Sequence, residues 1–155
     1  LNNEMDDFSA KPGTPNQFGL IGSKANSIQP KKRMLSSMTP TIILEGDKPI
    51  MVIGSPGGST IITSVLQAIL NVIDFKMTID EAIAAPKIHH QWLPDQIDYE
   101  KNTLPDHVRQ ELISLGYKLN EVKSLGRLEG IVIDPKTDLL YGASDPRGFG
   151  KAEGW

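Results

Sequence analysis

The sequence predicts a mixed α+β layered domain with antiparallel strand pairing, on three observations. Two pairs of short apolar runs are each joined by a polar turn. One long stretch between them carries apolar residues over more than half of a helical circumference. The order of elements is not the regular strand and helix alternation of a run of βαβ units.

The first pair is Thr41-Ile42-Ile43-Leu44 and Pro49-Ile50-Met51-Val52-Ile53, joined by Glu45-Gly46-Asp47-Lys48. Both arms are apolar enough to be covered on both faces, which calls for further layers. Glycines follow, then a helix over about Ser59 to Phe75 with Ile61, Ile62, Val65, Leu66, Ile69, Leu70, Val72 and Ile73 on its broad apolar side. Thr78 and Glu81 make a capping box for a short helix through Ala85, which Pro86 closes. Gln96-Ile97-Asp98-Tyr99 reads as a strand. Pro105 suits a first helical position, Val108, Leu112 and Leu115 recur at helical spacing, and Gly116 ends that helix. Gly130 to Asp134, the turn Pro135-Lys136-Thr137-Asp138, and Leu139 to Ala143 form the second hairpin.

Composition sets bounds. The 155 residues suffice for one domain with a core, and charged and hydrophobic fractions of 23% and 39% are ordinary for a globular chain. A net charge of -3, with no basic stripe beyond Lys31-Lys32-Arg33, argues against a nucleic-acid partner. The absence of cysteine removes disulfides, thiol catalysis and Cys-ligated metals. No apolar run reaches the roughly 18 residues of a membrane span. The opening Leu1-Asn2-Asn3-Glu4-Met5-Asp6-Asp7 has neither an initiator Met nor a signal-like pattern, so the chain reads as a segment of something longer.

The most telling stretch is Gly54-Ser55-Pro56-Gly57-Gly58-Ser59, between a strand and a helix. A helix starting there leaves its first N–H groups without partners and aims its positive dipole end at whatever sits in front. A phosphate-binding loop would need a Lys that is not present, and a dinucleotide fingerprint would need Gly-x-Gly-x-x-Gly. A nucleophile elbow would need Gly two residues before Ser55, where Ile53 stands, and the N–H that Pro56 lacks. Two readings stay open: an anion hole at Gly57 and Gly58 whose nucleophile comes from elsewhere, or a tight turn that uses glycine only for its backbone angles.

Other clusters are weaker singly. Glu4 and Asp7 could grip a cation such as a substrate ammonium, although an acidic run at a helix start or on a solvated surface is commoner. Ser36 and Ser37 could cradle a carboxylate with hydroxyls and N–H groups, although paired serines before a strand are usually turn residues. Adjacent His89 and His90 point to opposite faces without supporting ligand spacing, so no metal or cofactor is expected. Trp92 and Leu93 are expected to pin that segment to the fold. Asp145-Pro146-Arg147 suggests a structural ion pair or turn, or a subunit contact. Residues 8 to 30 form a long polar loop in which Phe8 and Phe18 give docking points, which suits an ordered lid.

Taken together, Leu1 to Phe8, Lys32 to Thr41, Gly54 to Ser59, His89-His90-Gln91-Trp92-Leu93-Pro94-Asp95 and Tyr141 to Arg147 resemble the small subunit of γ-glutamyltranspeptidases. Gly148 to Trp155 is the least family-like part. The resemblance implies an N-terminal nucleophile hydrolase with a four-layer αββα sandwich, of which residues 1–155 supply a small-subunit segment. It implies a precursor that cuts itself into a large and a small subunit. An N-terminal Thr then attacks a γ-glutamyl amide such as glutathione, and the glutamyl group passes to water, an amino acid or a peptide. By the same resemblance Gly57 and Gly58 match the oxyanion hole, Glu4 and Asp7 the acceptors of the substrate ammonium, and Ser36 and Ser37 its carboxylate contacts. Phe18 stands where members with this lid commonly have Tyr, and Met34 where Pro is common.

The Thr that opens the small subunit and a carboxylate-gripping Arg that belongs to the large subunit both fall outside this segment, which alone is expected to be inactive. Family habit places such proteins in the periplasm or outside the cell. A relative acting on another acyl donor, such as a β-lactam side chain or a polyglutamate, is a second reading. A non-catalytic small-subunit fragment that only binds its partner is a third.

Overall fold

The structure, a computed structural model, describes residues 4–154. Leu1-Asn2-Asn3 of the first motif and the final Trp155 lie outside the described residues. Strands β1 (Thr41–Glu45) and β2 (Lys48–Gly54) form the first expected hairpin, and β6 (Glu129–Ile133) and β7 (Leu140–Ser144) the second. β2 pairs with β6, so both hairpins join one antiparallel sheet in the order β1-β2-β6-β7.

Helices α1 (Thr60–Ile73) and α2 (Ile79–Ala84) follow β2. The capping box of α2 is present, with the Thr78 N–H donating to Glu81 at 2.9 Å. Met51 and Ile53 of β2 pack with Ile61, Val65 and Ala68 of α1, Ile79 and Ile83 of α2, and Leu128 in one core. Alternation along β2 decides the rest: Met51 is 1% exposed and its neighbour Val52 41%.

The expectation of strands covered on both faces needs correction within this chain. Ile42, Leu44, Val52 and Ile131 are exposed among the described residues. One sheet with helices on one face is half of an αββα stack. α1 is likewise covered on only part of its apolar side. Ser64 and Ala68 are buried with Ile61 and Val65, while Ile62, Leu66, Leu70 and Ile73 stay exposed.

A second sheet runs β3 (Ile88–His89), β4 (Ile97–Glu100) and β5 (Leu119–Val122). β3 pairs antiparallel with β4, whereas β4 and β5 are parallel and joined through α3 (Asp106–Ser114). The domain therefore holds one βαβ crossover that the sequence did not predict. Pro105 lies just before α3 rather than in it.

Candidate functional site

Where β2 ends, Pro56 to Ser59 turn the chain into α1. Gly57 has φ 143° and Gly58 φ 58°, values that favour glycine. Space is as restrictive as angle. A Cβ on Gly58 would lie 2.5 Å from the Phe18 ring, and one on Gly57 would lie 2.6 Å from Thr60 Oγ1 and 3.4 Å from the Gly126 Cα. The carbonyls of both glycines accept from the first helical amides, Thr60 N–H and Ile61 N–H, each at 3.2 Å. Among the described residues the N–H groups of Gly57 and Gly58 donate to no acceptor. Ser55 is buried, donating to the Pro56 carbonyl at 2.7 Å and accepting from Arg127 N–H at 2.9 Å, so its hydroxyl is spent on structure.

Glu4 precedes a 3-10 turn at Met5–Asp7, closed by Asp7 N–H donating to the Glu4 carbonyl at 3.0 Å. The turn keeps the two carboxylates near each other. Burial, and then the negative charges of Glu4 and Asp6, push the Asp7 carboxyl above its ordinary range. An acid in that position gains from a cation beside it.

The two serines reach the same place. Ser36 Oγ donates to Glu4 Oε1 at 3.0 Å and accepts from Met38 N–H at 3.2 Å, so the turn role and the proximity to the acids are both met. Glu4, Asp7, Phe18, Ser37, Gly57 and Gly58 line one cavity of about 450 Å³, with Met38, Pro56 and Ile61 as apolar wall. Ser36 lines the adjoining cavity with Asp7 and Ser37. All seven residues singled out in the sequence thus converge, although they come from segments up to 54 positions apart (Glu4 to Gly58).

Three residues to which the sequence reading gave no role hold this arrangement. Asn26 donates to the Asp7 carbonyl at 2.6 Å and accepts from Leu35 N–H at 3.1 Å, tying the acidic turn to the serine segment. Asn16 accepts from Phe18 N–H at 2.9 Å and Leu20 N–H at 3.0 Å while donating to the Asp6 carbonyl, which shapes the tip of the loop. Gln91 touches the same tip. An asparagine in a polar loop carries no sequence signal that separates such bridging from an ordinary turn.

The His89-His90-Gln91-Trp92 segment needs a correction. Trp92 is 75% exposed and pins nothing among the described residues; buried His89 does so, with Nδ1 2.8 Å from Thr63 Oγ1 of α1. Among the described residues no group of three or more His, Asp or Glu is placed to hold a metal ion. The Asp145-Pro146-Arg147 stretch forms both a turn and ion pairs. Gly148 N–H closes on the Asp145 carbonyl at 2.9 Å, and Arg147 meets Asp145 at 3.0 Å and Glu100 at 2.7 Å.

The layered arrangement and its solved neighbours define the class as the N-terminal nucleophile hydrolases, whose αββα sandwich this chain supplies in part. The γ-glutamyltranspeptidase family model matches residues 1–155, and the chain belongs to that family. It is 51% identical over 147 residues to the glutathione hydrolase proenzyme of Escherichia coli, an alignment covering 95% of this chain and 25% of that protein. A mutant γ-glutamyltranspeptidase from Helicobacter pylori superposes with a TM-score of 0.89 at 52% identity, covering 96% of this chain and 81% of the other. A cephalosporin acylase from Bacillus halodurans follows at 0.75 and 30% identity, covering 84% and 24%. The chain spans about a quarter of the length of the curated relatives it matches.

Proposed function

We propose that the complete protein is a γ-glutamyl transferase and hydrolase that cleaves γ-glutamyl amides such as glutathione, and that this chain supplies the glutamyl-binding half of its site. One observation carries the reading. Two unengaged glycine amides, an acid pair and a serine pair share one region of cavity.

An α-amino acid presents an ammonium and a carboxylate on one carbon, so its two binders must lie side by side, as Glu4 and Ser36 do. The γ-carbonyl then lies further along the chain, toward Gly57 and Gly58. A Thr hydroxyl from outside this segment adds to that carbonyl carbon, its proton passing to the Thr's own α-amine. The oxygen becomes an oxyanion facing the two glycine amides, where each donor removed typically costs about 3 kcal/mol of transition-state stabilisation. Collapse expels the amine, which takes the proton, and leaves a γ-glutamyl ester. Water or an acceptor amine opens that ester and frees the Thr.

The partner is a large subunit cut from the same precursor; it would supply a further cationic contact, while the Thr would open the small subunit of which this chain is a segment. The sheet face bearing Ile42, Leu44, Val52 and Ile131 is where a second sheet of the sandwich would pack. No helix among the described residues is long and apolar enough to cross a membrane, and a periplasmic or extracellular location follows family habit.

An acylase acting on a donor without an ammonium is the second reading, favoured by the likeness to the cephalosporin acylase. Glu4 and Asp7 speak against it, because an apolar acyl group would leave two carboxylates unpaired. A fragment that only binds its partner is the third. Expression of the full precursor separates all three. Self-cleavage followed by release of p-nitroaniline from γ-glutamyl-p-nitroanilide supports the proposal, and a KM raised strongly by Asp7→Asn assigns the ammonium. Cleavage without turnover favours the binding-only fragment, and turnover on cephalosporin side chains alone favours the acylase.

A further inference from the structure

Resting on that reading, we propose that Gln91 is a positioning residue that latches the loop of residues 8 to 30 over the glycine pair by holding Phe18 in place. The Phe18 ring lies against Gly58, close enough that an added Cβ would meet three of its atoms within 2.8 Å. Nothing in the loop's own hydrogen bonding reaches α1. Gln91 does. Its Nε2 donates to the Leu93 carbonyl at 3.0 Å and to the Phe18 carbonyl at 3.4 Å. Its Oε1 accepts from Ser59 Oγ, at the start of α1, and lies 2.8 Å from His89 Nε2.

These contacts fix the chemistry of each partner. The amide nitrogen faces two carbonyls, so the amide oxygen must face Ser59 and His89. His89 therefore carries its proton on Nε2, and its Nδ1 sits 2.8 Å from Thr63 Oγ1 of the same helix. Ser59, just before α1, and His89 of β3, itself held against α1 by Thr63, together orient Gln91, and Gln91 passes that orientation to the loop tip. The contact to Phe18 is the longest of the four and is the joint at which the loop would part from the helix. A residue near the tip, Gly19, packs against the same group: a Cβ there would lie 4.0 Å from Gln91 Nε2 and 3.7 Å from Pro94 Cδ.

Gln91→Glu is the discriminating change, because it keeps shape and the acceptor side while turning an oxygen toward two carbonyls. The two-subunit protein is compared with Gln91→Glu, Gln91→Ala and Phe18→Ala by hydrogen exchange and by kinetics on γ-glutamyl-p-nitroanilide. The expected result is exchange in the 16–20 peptide faster by roughly tenfold, with β2 and β6 unchanged, as for a local opening that loses about one hydrogen bond. KM rises as the closed fraction falls while kcat stays within about twofold, because only the closed fraction binds. In a Phe18→Ala background Gln91→Glu adds nothing further to KM.

Unchanged loop exchange in an active Gln91→Glu protein overturns the proposal. So does exchange that rises equally in β2 and β6, or a KM effect that adds in full to that of Phe18→Ala. Should Gln91→Glu not fold, Gln91→Ala is read by the same criteria. A wild-type protein that cleaves no γ-glutamyl donor refutes the functional reading instead, and the exchange comparison still decides the latch.

Discussion

Ser36 donates its hydroxyl to Glu4 across 32 positions of sequence, at 3.0 Å. A serine that would serve a substrate carboxylate is thus held, without ligand, by an acid that would serve the substrate ammonium. On the proposed reading, the ammonium of an entering α-amino acid would take the place of the hydroxyl beside Glu4, and the freed hydroxyl would turn to the carboxylate. Each group would then exchange one partner for another, and none would be left unpaired.

Ser36→Ala should therefore raise KM for γ-glutamyl-p-nitroanilide by roughly tenfold, the worth of one hydrogen bond to a charged group. Turnover at saturation should change much less, since the contact is made equally before and during reaction. Steady-state kinetics on the two-subunit protein gives both constants. A loss confined to kcat would remove Ser36 from the binding of the glutamyl head.

Gly58→Ala should act on the opposite constant. The methyl would strike the Phe18 ring and would sit on a backbone at φ 58°, so the turn must shift and its amide with it. A displaced oxyanion donor typically lowers kcat by about two to three orders of magnitude. Pairing Gly58→Ala with Phe18→Ala removes the clash and leaves only the backbone strain. Partial recovery of kcat in the pair would show that the ring contact matters, and no recovery would assign the whole loss to the backbone.

Local signals made much of this legible in the sequence. Both hairpins, the α2 capping box and the glycine turn depend on residues within a few positions of one another, and they stand where periodicity and turn chemistry put them. β5 was not legible, because Leu119-Asn120-Glu121-Val122 has polar residues at its centre and becomes a strand only by pairing with β4. Lys87 follows Pro86 and reads as a surface lysine, yet it is 1% exposed, for reasons that lie 13 and 58 positions away in Glu100 and Asp145. The convergence of the site residues is likewise a tertiary fact. Family resemblance could point to it, but the bridging by Asn26 and Gln91 depends on contacts that no local pattern encodes.

Asp7 gives the site a pH signature. Its carboxyl is raised above 3.8 by burial first and by Glu4 and Asp6 after it, so the folded chain holds that proton more tightly than the unfolded one. Stability accordingly falls as pH rises from 3.8 through the raised value, and the penalty persists above it. A bound ammonium favours the ionised form, so binding of a donor should release a proton in that window and weaken as pH falls through it. The acid limb of 1/KM against pH should disappear in Asp7→Asn. That variant should also show a raised KM near neutrality and a melting temperature no lower than wild type, because a repulsion has been removed. A lowered melting temperature would instead mark Asp7 as a structural acid.

The glycine pair rests on a buried charge cluster whose titration can be read separately. Lys87 Nζ donates to the carbonyls of Ile83 at 2.8 Å and Ala85 at 3.0 Å, capping the end of α2, and lies 3.9 Å from Asp145. Arg147 donates to the Ala84 and Ala85 carbonyls beside it and pairs with Glu100 and Asp145. Glu100 accepts from Leu125 N–H at 2.7 Å and Asp145 from Leu128 N–H at 2.9 Å, which fixes the segment whose Gly126 backs Gly57. Burial, and then the charge of Arg147, lower Lys87 from 10.5 to about 8, against the smaller pull of Asp145 and Glu100. Between those values the unfolded chain binds more protons than the folded one, so this group makes stability rise with pH across the window. Lys87→Met should remove that rise. Denaturant midpoints of wild type and variant, taken at intervals from about pH 8 to 10.5, should converge or cross as the lysine is neutralised. Two parallel curves would mean that Lys87 titrates in the folded protein as it does in the unfolded one, and the cluster would then hold its lysine without the penalty that its burial implies.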